Sequence, residues 1–265
     1  SYCFIIDVSM KDIKIIVVSH KAYSMPDDPI YIPVEVGAAN RSQHFFSHRD
    51  DRGEDNISAK NKNYCELTGI YWAYKNLDYD VLGLVHYRRY FRKRNFFVSK
   101  KLQNVISSKE IEKKLSKADF ILPKKRHYYI ETNYSHYVHA HKAEPLDKTR
   151  EIIQKDYPSY LSAFDHRRKK RSGHYFNRFI GNKDVVKGYL DWVFDILFKL
   201  EKEIDVSSYS DYDQRVFGFI SERLLDVYIE ANHLKFVEQK YDFREHQNWF
   251  KKGFAFLKRH FSKKN

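Results

Sequence analysis

The chain has 265 residues and a formal net charge of +13, with 48 lysines and arginines against 35 acidic residues. This length suits one large or two small domains, which excludes a minimal repeat unit or a miniprotein. Hydrophobic residues make up 42% of the chain and aromatic residues 17%, and this much apolar surface excludes a disordered protein. The two cysteines exclude a disulfide framework or a cysteine-rich zinc site and favour the cytosol. No apolar run approaches the roughly 20 residues of a membrane span.

The first half of the chain alternates between predicted strands and predicted helices. A β-branched run at 13–19 is typical of a buried strand, whereas 25–55 carries three prolines and predicts a long irregular surface segment. Asn56 or Ser58 can cap a helix that ends near Asn76. The remaining predicted elements of this half are strands at 81–85 and 118–123 and a helix at 107–117. Strands separated by helices at this spacing predict an α/β fold with a mainly parallel sheet.

The second half of the chain is predicted to be mostly helical, with one strand near 174–180. The predicted helices are 146–156, 183–204 and 211–231. Because the composition shows no flexible linker, we expect a single domain over 1–243 that includes a C-terminal helical extension. A basic tail follows over 244–265.

Charged residues cluster where the predicted strands end. In α/β sheets ligands bind beyond the carboxyl ends of the strands, which predicts one neighbourhood for 19–21, 86–90 and 123–127. The second of these segments reads His86-Tyr87-Arg88-Arg89-Tyr90. Because arginine holds phosphate oxygens bidentately and stays charged, a diphosphate is a sensible ligand there. The alternative is that 88–94 is only a solvated basic loop.

Several sequence blocks resemble a known family. The segment from Asn56 to Phe91 is similar to a bacterial family of capsular and exopolysaccharide glycosyltransferases, long catalogued as a domain of unknown function. The blocks that carry this resemblance are Lys60-Asn61, Cys65-Glu66-Leu67-Thr68, Tyr71-Trp72, Lys75-Asn76, the run Gly83 to Phe91, Asn177-Arg178-Phe179-Ile180 and Arg215 to Leu224. The resemblance implies a GT-A-like α/β/α sandwich with a Rossmann-like nucleotide-binding half.

The resemblance also implies a nucleotide-sugar donor, such as a UDP-sugar, with galactofuranose as one candidate sugar. The donor-binding residues that it implies are Asn56, Lys60, Asn61, His86, Tyr87, Arg88 and Arg89. Ordinary members of the GT-A fold carry an Asp-x-Asp metal site after this strand, and here the position reads His86-Tyr87-Arg88. Hard cations prefer oxygen ligands, so transfer without a metal cofactor is favoured, although a divalent cation stays open as an alternative.

The acceptor side is expected to involve the histidine-rich run after the third strand. His136, His139 and His141 fall in Tyr134-Ser135-His136-Tyr137-Val138-His139-Ala140-His141. A metal site is conceivable, but no cysteine or carboxylate pair nearby completes a tetrahedral set. We therefore expect an acceptor-binding or an aromatic-packed segment. The predicted acceptor-binding residues are His136, His139, Asn177 and Arg215, and the acceptor that the resemblance implies is a lipid-linked polysaccharide or other oligosaccharide.

Inverting glycosyl transfer needs a carboxylate that takes the proton of the acceptor hydroxyl. The candidates, in order of preference, are Asp213, Glu222 and Asp211. Both aspartates precede a predicted helix, where a carboxylate is also a routine cap. Glu222 is followed by Arg223, so a structural ion pair is the alternative for that residue.

The C-terminal tail has an aromatic face and a basic face. Helices of this kind bind anionic membrane surfaces, which predicts a cytoplasmic protein held peripherally on the inner face of the plasma membrane. Packing of the tail against the domain is the alternative. A nucleic-acid-binding module is the competing function because of the positive charge. The chain carries no recognisable RNA- or DNA-binding motif, so no nucleic-acid partner is expected.

Overall fold

The computed structural model describes residues 11–93, 104–127 and 132–243. The predicted membrane-binding tail at 244–265 lies outside the described residues. The strands are Ile13–Ser19 (β1), Tyr31–Glu35 (β2), Val81–His86 (β3), Arg89–Phe91 (β4), Phe120–Pro123 (β5), Arg126–His127 (β6), Ser172–Gly173 (β7), Phe179–Asn182 (β8), Phe236–Gln239 (β9) and Tyr241–Phe243 (β10). The helices are Asn61–Tyr64 (α1), Leu67–Asn76 (α2), Ser108–Leu115 (α3), Asn133–Ala140 (α4), Glu144–Asp156 (α5), Leu161–Lys169 (α6), Lys183–Glu203 (α7) and Val216–Ala231 (α8).

Eight of the strands form one mixed sheet, so the fold is α/β. Strand β1 runs parallel to β2 on one side and to β3 on the other. Strand β8 lies antiparallel between β3 and β5, and β9 runs parallel to β5. The end of β3 turns back into β4, which pairs with β10.

The parallel strands predicted from sequence are present, but the sheet is mixed because β8 runs antiparallel to both of its neighbours. The chain leaves β5 through β6, crosses α4 to α6, and returns in β7, which pairs antiparallel with β6. This pairing brings the chain back to the carboxyl end of β5, so β8 must run in the opposite direction. The first residues of β8 therefore lie at the same edge of the sheet as the last residues of β3.

The segment at 25–55, predicted to be irregular, contains β2. Its Pro33 lies opposite Val17 of β1. Because β2 pairs with β1 alone among the described strands, Pro33 occupies an edge position, where a missing N–H costs no ladder hydrogen bond. A proline in the middle of the segment hid this strand from the sequence pattern.

The helix predicted over 56–76 is interrupted. A single 3₁₀ turn at Ser58–Lys60 leads into α1, and Cys65 then takes a positive φ of 54° before α2 begins. This interruption places the residues between the two helices at the edge of the sheet. It is one of the features that build the site.

The sheet is buried on both faces. Ile13, Ile15 and Val17 pack with α3 on one face, while Ile16 and Val18 join the larger cluster formed with the other helices on the opposite face. The helices α7 and α8 of the second half belong to that larger cluster, so they share the core of the sheet. Among the described residues, no helix is long and apolar enough to cross a membrane.

Candidate functional site

Two adjoining cavities open beyond the carboxyl ends of β1 and β3. The first has a volume of about 360 Å³ and the second about 480 Å³. Glu66, His86 and Arg215 line both of them, so they form one continuous cleft. The predicted neighbourhood of strand ends is confirmed by residues from each segment that line this cleft, namely Ser19, His20, His86, Arg88, Arg89 and Arg126.

The wall of the first cavity is a loop that buried hydrogen bonds hold in place. The backbone N–H groups of Gly37 and Ala38 donate to the fully buried carboxylate of Asp50 at 2.8 and 3.0 Å. Gly37 has a φ of 67°, and a Cβ there would lie 2.7 Å from Asn61 Oδ1. Only glycine allows this conformation and this approach together. Asn61 in turn donates to the Cys65 carbonyl at 2.7 Å and to the Thr68 hydroxyl at 3.0 Å.

The second cavity carries an excess of positive charge. Two carboxylates, Glu66 and Glu222, line it. The arginines that line it are Arg88, Arg89, Arg126, Arg178, Arg215 and Arg223. Among the described residues, neither Arg88 Nε nor Arg223 Nε has a hydrogen-bond partner, although both atoms are buried. Guanidinium groups in this arrangement can hold an anion with several oxygens.

His86 stands at the junction of the two cavities in its neutral form. Burial, together with the nearby positive charges of Arg178 and Arg89, lowers the pKa of His86 to about 2. Its Nδ1 accepts a hydrogen bond from the backbone N–H of Arg88 at 3.3 Å. Because a neutral imidazole adds no charge, the positive field of the junction comes from the arginines.

Glu66 is held by residues that precede β8. Its Oε1 accepts hydrogen bonds from Asn177 Nδ2 and from Arg178 Nη1, both at 3.2 Å. Asn177 is buried, also donates to the Gly218 carbonyl at 3.1 Å and accepts from the Ser221 hydroxyl at 2.8 Å. Asn177 therefore ties Glu66 to α8 and does not line either cavity.

Of the three carboxylates predicted as the base, Glu222 lines the cleft. Its side chain is 24% exposed and lies 3.7 Å from Arg223. Burial is the main reason that the pKa of Glu222 is raised to about 8. The charge of Glu66 contributes to this rise, and the charges of Arg223, Arg178 and Arg215 limit it. The carboxyl group is therefore mostly protonated at neutral pH.

The two aspartates lie elsewhere. Asp211 is 93% exposed and pairs with Lys62 at 3.1 Å. Asp213 lies behind the cavity wall, where Oδ1 is 3.1 Å from His141 Nδ1 and Oδ2 accepts from the Ser210 hydroxyl at 2.8 Å. Asp213 therefore reaches the cleft through His141, which lines the second cavity.

The structure brings only part of the predicted donor set to the cleft. Asn61, His86, Arg88 and Arg89 line it. Tyr87 is 1% exposed and packs in the core below. Asn56 donates to the Gly53 carbonyl at 3.0 Å and so stabilises its own loop, and Lys60 pairs with Glu201 at 2.8 Å.

The predicted acceptor set divides in the same way. His136 and Arg215 line the second cavity, and Arg215 Nε donates to Cys65 Sγ at 3.3 Å. Asn177 supports Glu66, as described above. His139 belongs to α4, but its side chain lies outside the described residues.

Several residues that line the cleft were not predicted as site residues, among them Glu66, Arg178, Arg223 and His141. Glu66 lies between α1 and α2, where the pattern predicted an unbroken helix. Arg178 precedes β8, whereas ligand-binding residues of α/β sheets are expected after the carboxyl ends of strands. Arg178 lies at the cleft because β8 runs antiparallel to β3, and the sequence did not reveal this direction.

Comparisons with known proteins agree with this fold. The chain belongs to the family described as a domain of unknown function, DUF4422, whose family model matches residues 14–233. It is also similar to a solved structure of WbbM, a bifunctional glycosyltransferase, in the apo form, with 29% sequence identity and a TM-score of 0.79. The similarity covers 89% of this chain and 46% of the WbbM chain, so this chain spans about half of that protein's length. No curated protein matches the chain.

Proposed function

We propose that this protein is a glycosyltransferase that moves a sugar from a nucleotide-sugar donor to an acceptor hydroxyl. The observation that carries the proposal is the arginine-rich cleft at the strand ends, in a fold similar to that of WbbM. Six arginines against two carboxylates suit the diphosphate of such a donor, because guanidinium groups pair with phosphate oxygens in a fixed geometry.

The donor occupies both cavities in this proposal. The nucleoside lies in the first cavity, where Val18, Val36 and Asn61 offer apolar and amide surface. The diphosphate lies at the junction, near Arg88 and Arg215. A uridine diphosphate sugar is the donor we propose, and galactofuranose is a candidate for the sugar.

A divalent cation does not suit the residues at the junction. His86-Tyr87-Arg88 stands where the resemblance places a metal-binding Asp-x-Asp, and Arg89 and Arg178 lie close enough to lower the pKa of His86. Oxygen ligands are what hard cations require. We therefore propose that arginine, rather than a metal, neutralises the diphosphate. If sugar transfer is lost in excess chelator and restored by manganese, the proposal that arginine replaces the metal is wrong.

The acceptor lies in the second cavity in this proposal, near His136 and Arg215. A lipid-linked capsular or exopolysaccharide unit, or an O-antigen unit, is the acceptor we propose. The tail at 244–265 would then hold the enzyme on the anionic inner face of the plasma membrane.

Calorimetry with UDP, UDP-galactose and UDP-galactofuranose tests the donor proposal on the intact chain. We expect saturable binding of UDP compounds, together with a rise in apparent thermal stability, because a ligand that binds only the native state stabilises it. A random oligonucleotide serves as the competing ligand. Tight, steeply salt-dependent oligonucleotide binding without any UDP binding would favour the nucleic-acid alternative instead.

A further inference from the structure

Asp213 and His141 form a pair at the wall of the second cavity. An ionised carboxylate can only accept hydrogen bonds, so the 3.1 Å contact to Asp213 Oδ1 places the proton of the imidazole on Nδ1. The Ser210 hydroxyl fixes the other carboxylate oxygen at 2.8 Å. This arrangement leaves the lone pair of the imidazole on Nε2.

The ring of His141 is fixed by aromatic neighbours. Phe219 lies 4.2 Å away at an interplanar angle of 29°, and Tyr212 lies 5.3 Å away at 20°. Both neighbours line the second cavity with His141. No residue in the described part of the chain hydrogen-bonds to Nε2. A fixed imidazole with an unshared Nε2 at a cavity wall can accept a proton.

We propose that His141, oriented by Asp213, is the general base that takes the proton of the acceptor hydroxyl. In this step the acceptor oxygen forms its bond to the anomeric carbon while the bond from that carbon to the donor phosphate oxygen breaks. The hydroxyl proton moves to His141 Nε2, and the nucleoside diphosphate leaves with the bonding electron pair. This inference rests on the proposed glycosyltransferase function.

The charges around the two candidate bases favour His141 at neutral pH. Burial lowers the pKa of His141, and the hydrogen bond to Asp213 only partly opposes this, so the ring is neutral and available. The other charges that face His141 are Arg223 of α8 and Arg215, which both lower its pKa. Glu222, by contrast, has a pKa of about 8 and holds its proton. A bound diphosphate would make ionisation of Glu222 still harder.

The two candidates predict different pH profiles. A base acts only when it is deprotonated, so activity is lost as the pH falls through its pKa. With His141 as the base, kcat/KM falls only below pH 6.5, because the pKa of His141 lies below the usual histidine pKa of 6.5. With Glu222 as the base, kcat/KM falls already below about pH 8.

The test uses the full chain with a UDP-sugar that it binds, an octyl glycoside as acceptor, and UDP release as the readout. We expect His141→Gln to lower kcat by about 10²- to 10⁴-fold while the affinity for UDP stays unchanged. Asp213 is a positioning residue, so we expect Asp213→Asn to lower kcat by a smaller factor. Asp213→Asn should also move the acid limb to lower pH, because the hydrogen bond that raises the pKa of His141 is lost. Asp213→Glu should restore part of the rate.

Two results would overturn the inference without touching the proposed function. One is near-normal kcat for His141→Gln, and the other is a wild-type acid limb near pH 8 that Glu222→Gln abolishes. If a variant misfolds and loses UDP affinity, the pH profile of the wild-type chain by itself distinguishes His141 from Glu222 as the base. Absence of both UDP binding and transfer in the wild-type chain would instead reject the proposed function.

Discussion

Glu222 is a carboxyl group in a cleft that contains another carboxylate. Its pKa of about 8 is well above the usual 4.5 because burial raises it, with a smaller contribution from the charge of Glu66, and the arginines nearby only partly oppose the rise. A carboxyl whose pKa is raised on folding binds its proton more tightly in the native state. Its contribution to stability is therefore complete below pH 4.5 and is lost as the pH rises toward 8.

We expect Glu222→Gln to remove the loss of stability between pH 4.5 and pH 8 that Glu222 causes, because an amide does not ionise. Urea unfolding at pH 5 and pH 9 measures the effect. The free energy of unfolding should fall less between these pH values in Glu222→Gln than in the wild-type chain. Glu151, which is 59% exposed on α5, provides the control Glu151→Gln. Parallel pH dependence of the wild-type chain and Glu222→Gln would show that Glu222 does not hold its proton in the folded state.

Arg88 is the arginine whose placement best suits the donor. Its guanidinium lies 5.1 Å from the centre of the Tyr87 ring, and its buried Nε has no hydrogen-bond partner in the described part of the chain. A buried unsatisfied donor is costly unless a ligand completes it. We expect Arg88→Ala to weaken UDP binding by about 10-fold or more, in line with the ~1.5–3 kcal/mol of a charged hydrogen bond.

Lys60 provides the matched control, because it was also predicted to bind the donor but pairs with Glu201. We expect Lys60→Ala to leave UDP affinity nearly unchanged, and calorimetry on both variants gives the comparison. Equal losses in the two variants would mean that the donor approaches from the side of Lys60, outside the cleft described above.

At the level of single residues, the sequence could predict which residues lie at the ends of strands, but not which distant residues contact the site. The run from His86 to Arg89 was found because it follows an apolar strand. Glu66 and His141 were not assigned to the site, because their importance depends on contacts with Arg178 and Asp213 that are distant in sequence. Such contacts arise from the chain path between β5 and β8.

At the level of elements, the packing of α2 on the sheet depends on Gly69. A Cβ at this position would lie 2.7 Å from Val18 Cγ1 and 2.8 Å from Val36 Cγ1. Two effects oppose one another in Gly69→Ala, because alanine favours the helix by about 1 kcal/mol whereas overpacking costs about 1–3 kcal/mol. Both contacts are shorter than real Cβ contacts, and their partners are stiff β-branched side chains.

We therefore expect Gly69→Ala to lower the free energy of unfolding by up to about 2 kcal/mol net. Urea denaturation of the wild-type chain and of Gly69→Ala measures this change in the free energy of unfolding. Lys75→Ala, near the exposed end of the same helix, is the control and should change stability little. A more stable Gly69→Ala variant would show that α2 can move away from β1 without cost.

The elements predicted from sequence were those with a strong local signal. The strands β1 and β3 are apolar runs buried on both faces, and α7 shows a long helical pattern. The pattern failed for β2, which contains a proline, and for the helix that breaks at Cys65. The direction of β8 could not be predicted, because it is set by the pairing of β6 with β7 across more than forty residues.

At the scale of the whole molecule, the net charge of +13 favours contact with an anionic surface. The tail at 244–265 is the segment that we propose makes it. We expect the full chain to pellet with vesicles that contain anionic lipid, and a chain ending at residue 243 to pellet much less. Each basic residue near such a surface contributes about 1 kcal/mol. Neutral vesicles are the control, and equal pelleting of the two chains with anionic vesicles would reject the tail as the anchor.

Sugar transfer itself tests the account most directly. The purified chain is incubated with a UDP-sugar and an octyl glycoside, and mass spectrometry follows the mass of the acceptor. We predict an acceptor that gains one sugar in step with UDP release, and a rate that Arg88→Ala lowers strongly while Lys60→Ala does not. A chain that binds no UDP compound and leaves donor and acceptor unchanged, with anionic vesicles present, would contradict the account.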